Sequence, residues 1–207
     1  MKSTTTGDKK ARTHELILDT AAKAIRRGGY AGVSVAELMK EAGLTHGGFY
    51  AHFASRNAML AEAMARASEL SSKALTPAVH RAVAEGKSPL RALVENYLRD
   101  AHLEAVEHGC PIAALGSEIC RQPQEVRAVA LQQIDSLRSA IAQALPAQAN
   151  KDSADAIMAT LVGSLQLARA YGNNDAGRQL LAASRRAVLA QYDPAQCEQV
   201  QYSNTKQ

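Results

Sequence analysis

Between Val33 and Ser55 the chain is punctuated so closely that only short helices fit. Ser34 and Glu37 stand three apart, the spacing at which a hydroxyl caps the Glu37 amide while the carboxylate reaches back, and Val33 and Leu38 flank the pair as a hydrophobic staple. Val35, Leu38, Met39 and Ala42 then make one apolar stripe about two turns long, which Gly43 terminates. Leu44 is an apolar plug in the turn. Thr45 is placed to cap a further short helix over His46 to Phe53, in which Phe49 and Phe53, four apart, pack inward. Ser55 caps the helix that follows. Upstream, Ile17, Ala21, Ala24 and Ile25 recur at helical spacing and Gly28-Gly29 close that run. Two short helices on a glycine turn, set between longer ones, predict a helix-turn-helix.

The rest of the chain agrees with a helical fold. Aromatic residues are only 4% and Trp is absent, so strand formers are scarce while alanine recurs throughout. The fold class expected is all-α. Charge is uneven along the chain: residues 1–56 carry nine Lys/Arg against five acids, whereas residues 57–207 hold fifteen of each. The basic excess therefore sits in the first quarter, where a polyanion is the expected partner. Apolar stretches are interrupted well before the roughly 18 residues of a membrane span, and the N-terminus has no hydrophobic signal core, so a cytoplasmic location is expected. Cys110, Cys120 and Cys197 are odd in number and lack a CxxC spacing, which argues against a disulfide framework and a zinc site. The sequence also lacks a GxGxxG, a P-loop, HExxH or GxSxG. An enzyme is not expected, and no cofactor or metal.

Gly32-Val33-Ser34-Val35-Ala36-Glu37-Leu38, then Ala42-Gly43-Leu44-Thr45-His46-Gly47-Gly48-Phe49-Tyr50-Ala51-His52-Phe53 and Ser55-Arg56-Asn57-Ala58-Met59-Leu60, closely resemble the signature of the TetR/AcrR transcriptional regulators. The resemblance covers about residues 12–60. It implies a repressor whose N-terminal heads dock on a palindromic DNA operator as a homodimer, and whose variable body binds a small-molecule effector. On that reading Thr45 and His46 meet base edges, Gly47 and Gly48 let backbone approach the groove closely, and Ser34, Tyr50, His52 and Arg56 contact phosphates. Arg56 stands where the family usually has Lys, which keeps the cation and changes its hydrogen-bond geometry. The alternative for Tyr50, His52 and His46 is plain surface.

The organisation expected is a flexible basic arm over residues 1–10, a DNA-binding head over 11–54, a ligand-binding and dimerising body over 55–192, and a tail over 193–207. The fourth helix runs about Ser55 to Lys73. Breaks are expected at Thr76-Pro77, Gly86 to Pro89, His108 to Pro111, Gln122-Pro123, Leu145 to Asp152 and Tyr171 to Asp175. The last two helices, Asp152 to Tyr171 and Asp175 to Tyr192, carry two stripes, one of Ile157, Leu161, Ser164, Leu165 and Ala168 with Gly163 beside it, the other of Leu180, Ser184, Ala187, Val188 and Gln191. Either these form a four-helix interface with a second copy, as in related proteins, or they are intramolecular core. Met64, Tyr97, His102, Cys110, Cys120, Gln132, Gln133 and Asp135 are candidates to line an effector cavity, with ordinary core or surface positions as the alternative. Two rival functions remain. Cys110, ahead of a short helix, would make the protein a thiol-based sensor of electrophiles or oxidants. A ligand-independent DNA-binding protein is the other, although the neutral body speaks against it.

Overall fold

The structure is a computed structural model that describes residues 6–193, except residues 148 and 151 and the side chain of residue 6. Residues 1–5 of the expected arm, the tail from residue 194 and Cys197 lie outside the described residues. Among the described residues every regular element is helical: α1 (Thr6–Gly28), α2 (Val35–Glu41), a 3-10 helix (His46–Ala51), α3 (Arg56–Ala84), α4 (Pro89–Tyr97), α5 (Asp100–Glu104), α6 (Pro111–Ile119), α7 (Gln124–Ala144), α8 (Ser153–Tyr171) and α9 (Asp175–Tyr192). The all-α expectation holds.

Two compact units are present, and a single cut along the chain does not separate them. Residues 6–71 join residues 106–133 in one, the head, and residues 72–105 join residues 134–193 in the other, the body. A linear boundary near residue 54 therefore misses 106–133, which pack with the N-terminal helices.

In the head, Ile17, Ala21, Ala22 and Ile25 of α1, Leu38 and Met39 of α2, Phe49 and Phe53, and Met59, Leu60, Ala63 and Met64 of α3 are all buried. The first helix begins earlier than expected, because residues 6–10 are already helical. Asp8 explains this: it sits in the first turn, where a carboxylate suits the helix dipole, and pairs with Arg12 at 2.8 Å one turn on.

In the body, Ser88 caps α4 by accepting the Arg91 amide at 3.1 Å, with Pro89 at the first helical position as the sequence predicts. Two boundaries differ from expectation. The break at Thr76-Pro77 does not occur, and α3 runs on to Ala84 with Pro77 inside it. Pro77 is exposed, and its lack of an N–H costs α3 one backbone hydrogen bond. The interval from Pro89 to Glu104, by contrast, is broken between Tyr97 and Asp100. The carbonyls released there find side-chain donors: His102 Nδ1 donates to Tyr97 O at 2.6 Å, and Arg185 Nη1 to Leu98 O at 2.8 Å. No local pattern announces a break whose compensation comes from α9.

α8 and α9 pack together as a helical hairpin. Gly172 turns the chain at φ +94, and Asn174 caps α9 by accepting the Gly177 amide at 3.1 Å. Most of the stripes expected at a dimer interface are buried within the single chain, while Ala187 and Gln191 are exposed. Leu161, Leu165 and Ala168 are 0% exposed within the single chain, Ser164 and Val188 are buried too, and Leu180 and Ser184 are half-buried. That face is therefore occupied within the chain. A second stripe of α8 stays open, with Leu167 58% and Tyr171 61% exposed, and on α9 Ala183, Ala187 and Ala190 are exposed.

Candidate nucleic-acid interface

Helix α2 starts and stops as its sequence dictates. The Glu37 amide donates to Ser34 Oγ at 3.1 Å, and the Ser34 hydroxyl donates to Glu37 Oε2 at 3.0 Å, so the carboxylate reaches back to the hydroxyl. At the other end Gly43 takes φ +71, its amide bonds to Lys40 O at 3.0 Å, and the Leu44 amide bonds to Met39 O at 2.8 Å. That pair of bonds is a Schellman cap. Thr45 follows in extended conformation, and the next segment winds as a 3-10 helix rather than the α-helix expected. Gly47 and Gly48 account for it: they are weak α-formers, and Thr45, whose carbonyl accepts the Gly48 amide at 3.0 Å, makes no side-chain cap bond.

This short helix is anchored from below. Phe49 and Phe53 are buried and stack at 5.4 Å, while His14 of α1, unforeseen from sequence, stacks on Phe53 at 4.6 Å and bonds Glu62 through Nε2 at 3.0 Å. What remains outside is a surface built of Thr45, His46, Gly47 and Tyr50, all exposed. Tyr50 is 68% exposed, its ring edge-on to Phe49 at 5.2 Å. Gly48 is half-buried, facing the Met39 side chain.

The remaining residues expected at DNA stand differently. Ser34 is exposed but its hydroxyl is already engaged by Glu37. His52, expected on the open side, is half-buried, and its buried Nδ1 has no hydrogen-bond partner. Burial holds its pKa below the ordinary histidine value, with His14 and Lys10 adding to the effect. Arg56 is half-buried as well: Nε donates to Val33 O at 3.0 Å and Nη2 to Tyr30 O. Its guanidinium braces the turn between α1 and α2.

Other arginines hold the scaffold. Arg66 of α3 bonds Asp19 at 2.7 Å and Glu15 at 3.0 Å, tying α1 down, and Arg27 joins Glu41 at 2.8 Å to Glu107 at 2.9 Å. Arg26 is buried and donates to the carbonyls of Ala22 at 2.8 Å and Gly109 at 3.1 Å. Lys9, Lys10 and Lys40 are exposed and belong to none of these described pairs.

A short exposed helix carried on two buried phenylalanines, beside a glycine-capped α2, matches a known module. The model for bacterial regulatory proteins of the tetR family fits residues 17–63, and that for the tetracyclin repressor-like C-terminal domain fits residues 86–184. The chain belongs to the TetR family. TetR-family regulators are DNA-binding repressors without enzymatic activity, and generally respond to ligands. Solved TetR structures share the fold. A regulator from Chloroflexus aurantiacus J-10-FL is 20% identical, with a TM-score of 0.71 over 88% of this chain and 94% of that one. Reduced E. coli NemR is 18% identical, with a TM-score of 0.68 over 84% and 95%. AibR in complex with isovaleryl coenzyme A and operator DNA is 19% identical, with a TM-score of 0.59 over 84% and 97%. No curated protein matches the chain.

In this TetR-family member the expected effector residues are divided between the two units. Met64 and Cys110 are buried in the head unit, Cys120 and Gln132 are exposed there, and Gln133 is half-buried. Tyr97 and His102 lie inside the body, ring to ring at 4.9 Å, and Asp135 is exposed. A groove of about 610 Å³ does open in the body, and none of the eight lines it. Its walls are Leu75, Val79, Val83 and Ala84 of α3, Pro89 and Leu93 of α4, and Ala140 and Ala144 of α7, with Thr76, His80 and Gln143 supplying the polar groups. The i, i+4 spacing of Leu75, Val79 and Val83 marks one apolar face of α3. It does not say that three helix ends converge. Among the described residues no helix is long and apolar enough to cross a membrane, and no cluster of metal-ligating side chains occurs.

Proposed function

We propose that the protein is a homodimeric repressor that reads a palindromic operator with the 3-10 helix of each head and leaves it when a small apolar molecule occupies the groove in the body. The observation that carries this reading is the exposed set Thr45, His46, Gly47 and Tyr50, held over buried Phe49 and Phe53. Thr45 and His46 present hydrogen-bonding groups to base edges, Gly47 admits close backbone approach, and the Tyr50 hydroxyl reaches a phosphate. Ser34, His52 and Arg56 act mainly by holding the head together. The body contributes the second copy: Leu167 and Tyr171 of α8, with the alanine stripe of α9, give an apolar, closely packable face suited to an isologous contact.

The groove has the size of a small-molecule site, commonly about 300–1,000 Å³. Its lining holds no Lys, Arg, Asp or Glu, which favours an uncharged, largely apolar effector oriented by His80, Thr76 or Gln143. AibR, with an acyl-coenzyme A and operator DNA bound, supports the general scheme. The thiol-switch alternative is not favoured, because Cys110 is only 6% exposed. A screen of uncharged aromatic and aliphatic compounds for release of a selected operator tests the reading. Compounds that release the wild type should fail on Ala140→Trp, whose indole fills the groove, while that variant still binds DNA. Equal release of both proteins would place the effector elsewhere.

A further inference from the structure

The turn that leads from α1 into α2 is gripped from two sides. On one side the Tyr30 amide donates to Glu118 Oε2 at 3.0 Å, from the last turn of α6. On the other, Arg56 at the start of α3 donates to the carbonyls of Tyr30 and Val33. Val33 directly precedes Ser34, the cap that starts α2. The backbone is shaped to admit the carboxylate: Gly29 takes φ +73, and a Cβ there would fall on Glu118. The ring of Tyr30 is itself buried, so the turn is held through its peptide groups as well as its side chain.

We propose that Glu118, which lies outside the helix-turn-helix segment, is a positioning residue for operator recognition. Its carboxylate fixes the Tyr30 peptide, Arg56 carries that constraint to Val33, and the rigid path through the Ser34 cap and the Gly43 turn sets where the 3-10 helix stands. A head with this latch removed keeps its helices but presents them at a variable angle. Sequence-specific contacts, which need register, then suffer more than the general attraction of a basic surface for phosphate.

The test uses the full-length protein, a genomic fragment selected by the wild type as operator, and a random-sequence duplex of the same length. Glu118→Ala is expected to lose operator affinity by about tenfold, the scale of one charge-assisted hydrogen bond, with affinity for the random duplex unchanged. Glu118→Gln keeps an acceptor at the same reach and should restore most of the loss. Glu118→Asp keeps the charge but is one methylene short, and should behave as the alanine variant. Parallel loss on both duplexes would mean a merely destabilised head and would overturn the proposal, as would wild-type operator affinity in Glu118→Ala. If Glu118→Ala does not fold, the Gln and Asp variants decide between them: rescue by Asp and not by Gln contradicts the latch.

Discussion

Arg56 and Tyr50 divide two tasks that sequence reading assigns to both. Arg56 is held by the carbonyls of Tyr30 and Val33, so Arg56→Ala should lower the unfolding free energy by about 1–3 kcal/mol, the cost of stranding part-buried acceptors. Tyr50 faces water, and Tyr50→Ala should change stability by less than about 0.5 kcal/mol while weakening operator binding. Urea titration and fluorescence anisotropy on the same two variants separate these outcomes. His102 gives a pH dependence of definite sign. Its pKa is pushed down to about 4, chiefly by burial and further by Arg169 and Arg99, against the opposing bond to Tyr97 O. The unfolded chain therefore takes up a proton first, and stability present above about pH 6.5 is lost as pH falls toward 4, at roughly 1.4 kcal/mol per unit where the slope is full. Urea melts of His102→Gln between about pH 7 and 5 should show a shallower decline than the wild type; matching slopes would remove His102 as the cause. The fate of each exposed side chain at the 3-10 helix was legible from the Phe49 and Phe53 spacing. The fate of Arg56, His52 and Glu118 was not, because it depends on peptide groups and rings brought in from distant parts of the chain.

Element boundaries were legible wherever glycine, proline or a capping residue acts within one turn. Gly43, Ser88-Pro89 and Asp175 stop or start helices where local chemistry says they should. Pro77 and the break after Tyr97 went the other way, since a proline tolerated in an exposed position and a break compensated by Arg185 both depend on tertiary context. The α8–α9 hairpin gives the element-scale prediction. A Cβ on Gly177 would lie 2.5 Å from Gly172 O and 2.9 Å from Ala168 O, and backbone atoms cannot yield as a flexible side chain can. Gly177→Ala should therefore destabilise the protein by more than about 1 kcal/mol, even though alanine is the better helix former. An unchanged or raised melting temperature would show that the hairpin is more loosely packed than described.

For the whole molecule, the hydrophobic periods of α8 and α9 identified the stripes that bury but not what they bury against. Leu161 is spent inside the chain, so Leu161→Glu should unfold the body, whereas Leu167→Glu with Tyr171→Glu should leave a folded monomer that has lost its operator affinity. Sedimentation with circular dichroism distinguishes them, and a folded Leu161→Glu dimer would contradict the assignment of that face to the core. The same assignment frames operator recognition as a property of two heads held at a fixed spacing. The most direct test is the stoichiometry and affinity of binding to a selected operator and to the same operator with about 5 base pairs, half a helical turn, inserted at its centre. Two chains per site, with specific binding lost on insertion, is the result expected; tight binding by one chain, or undiminished binding to the lengthened site, would contradict the account.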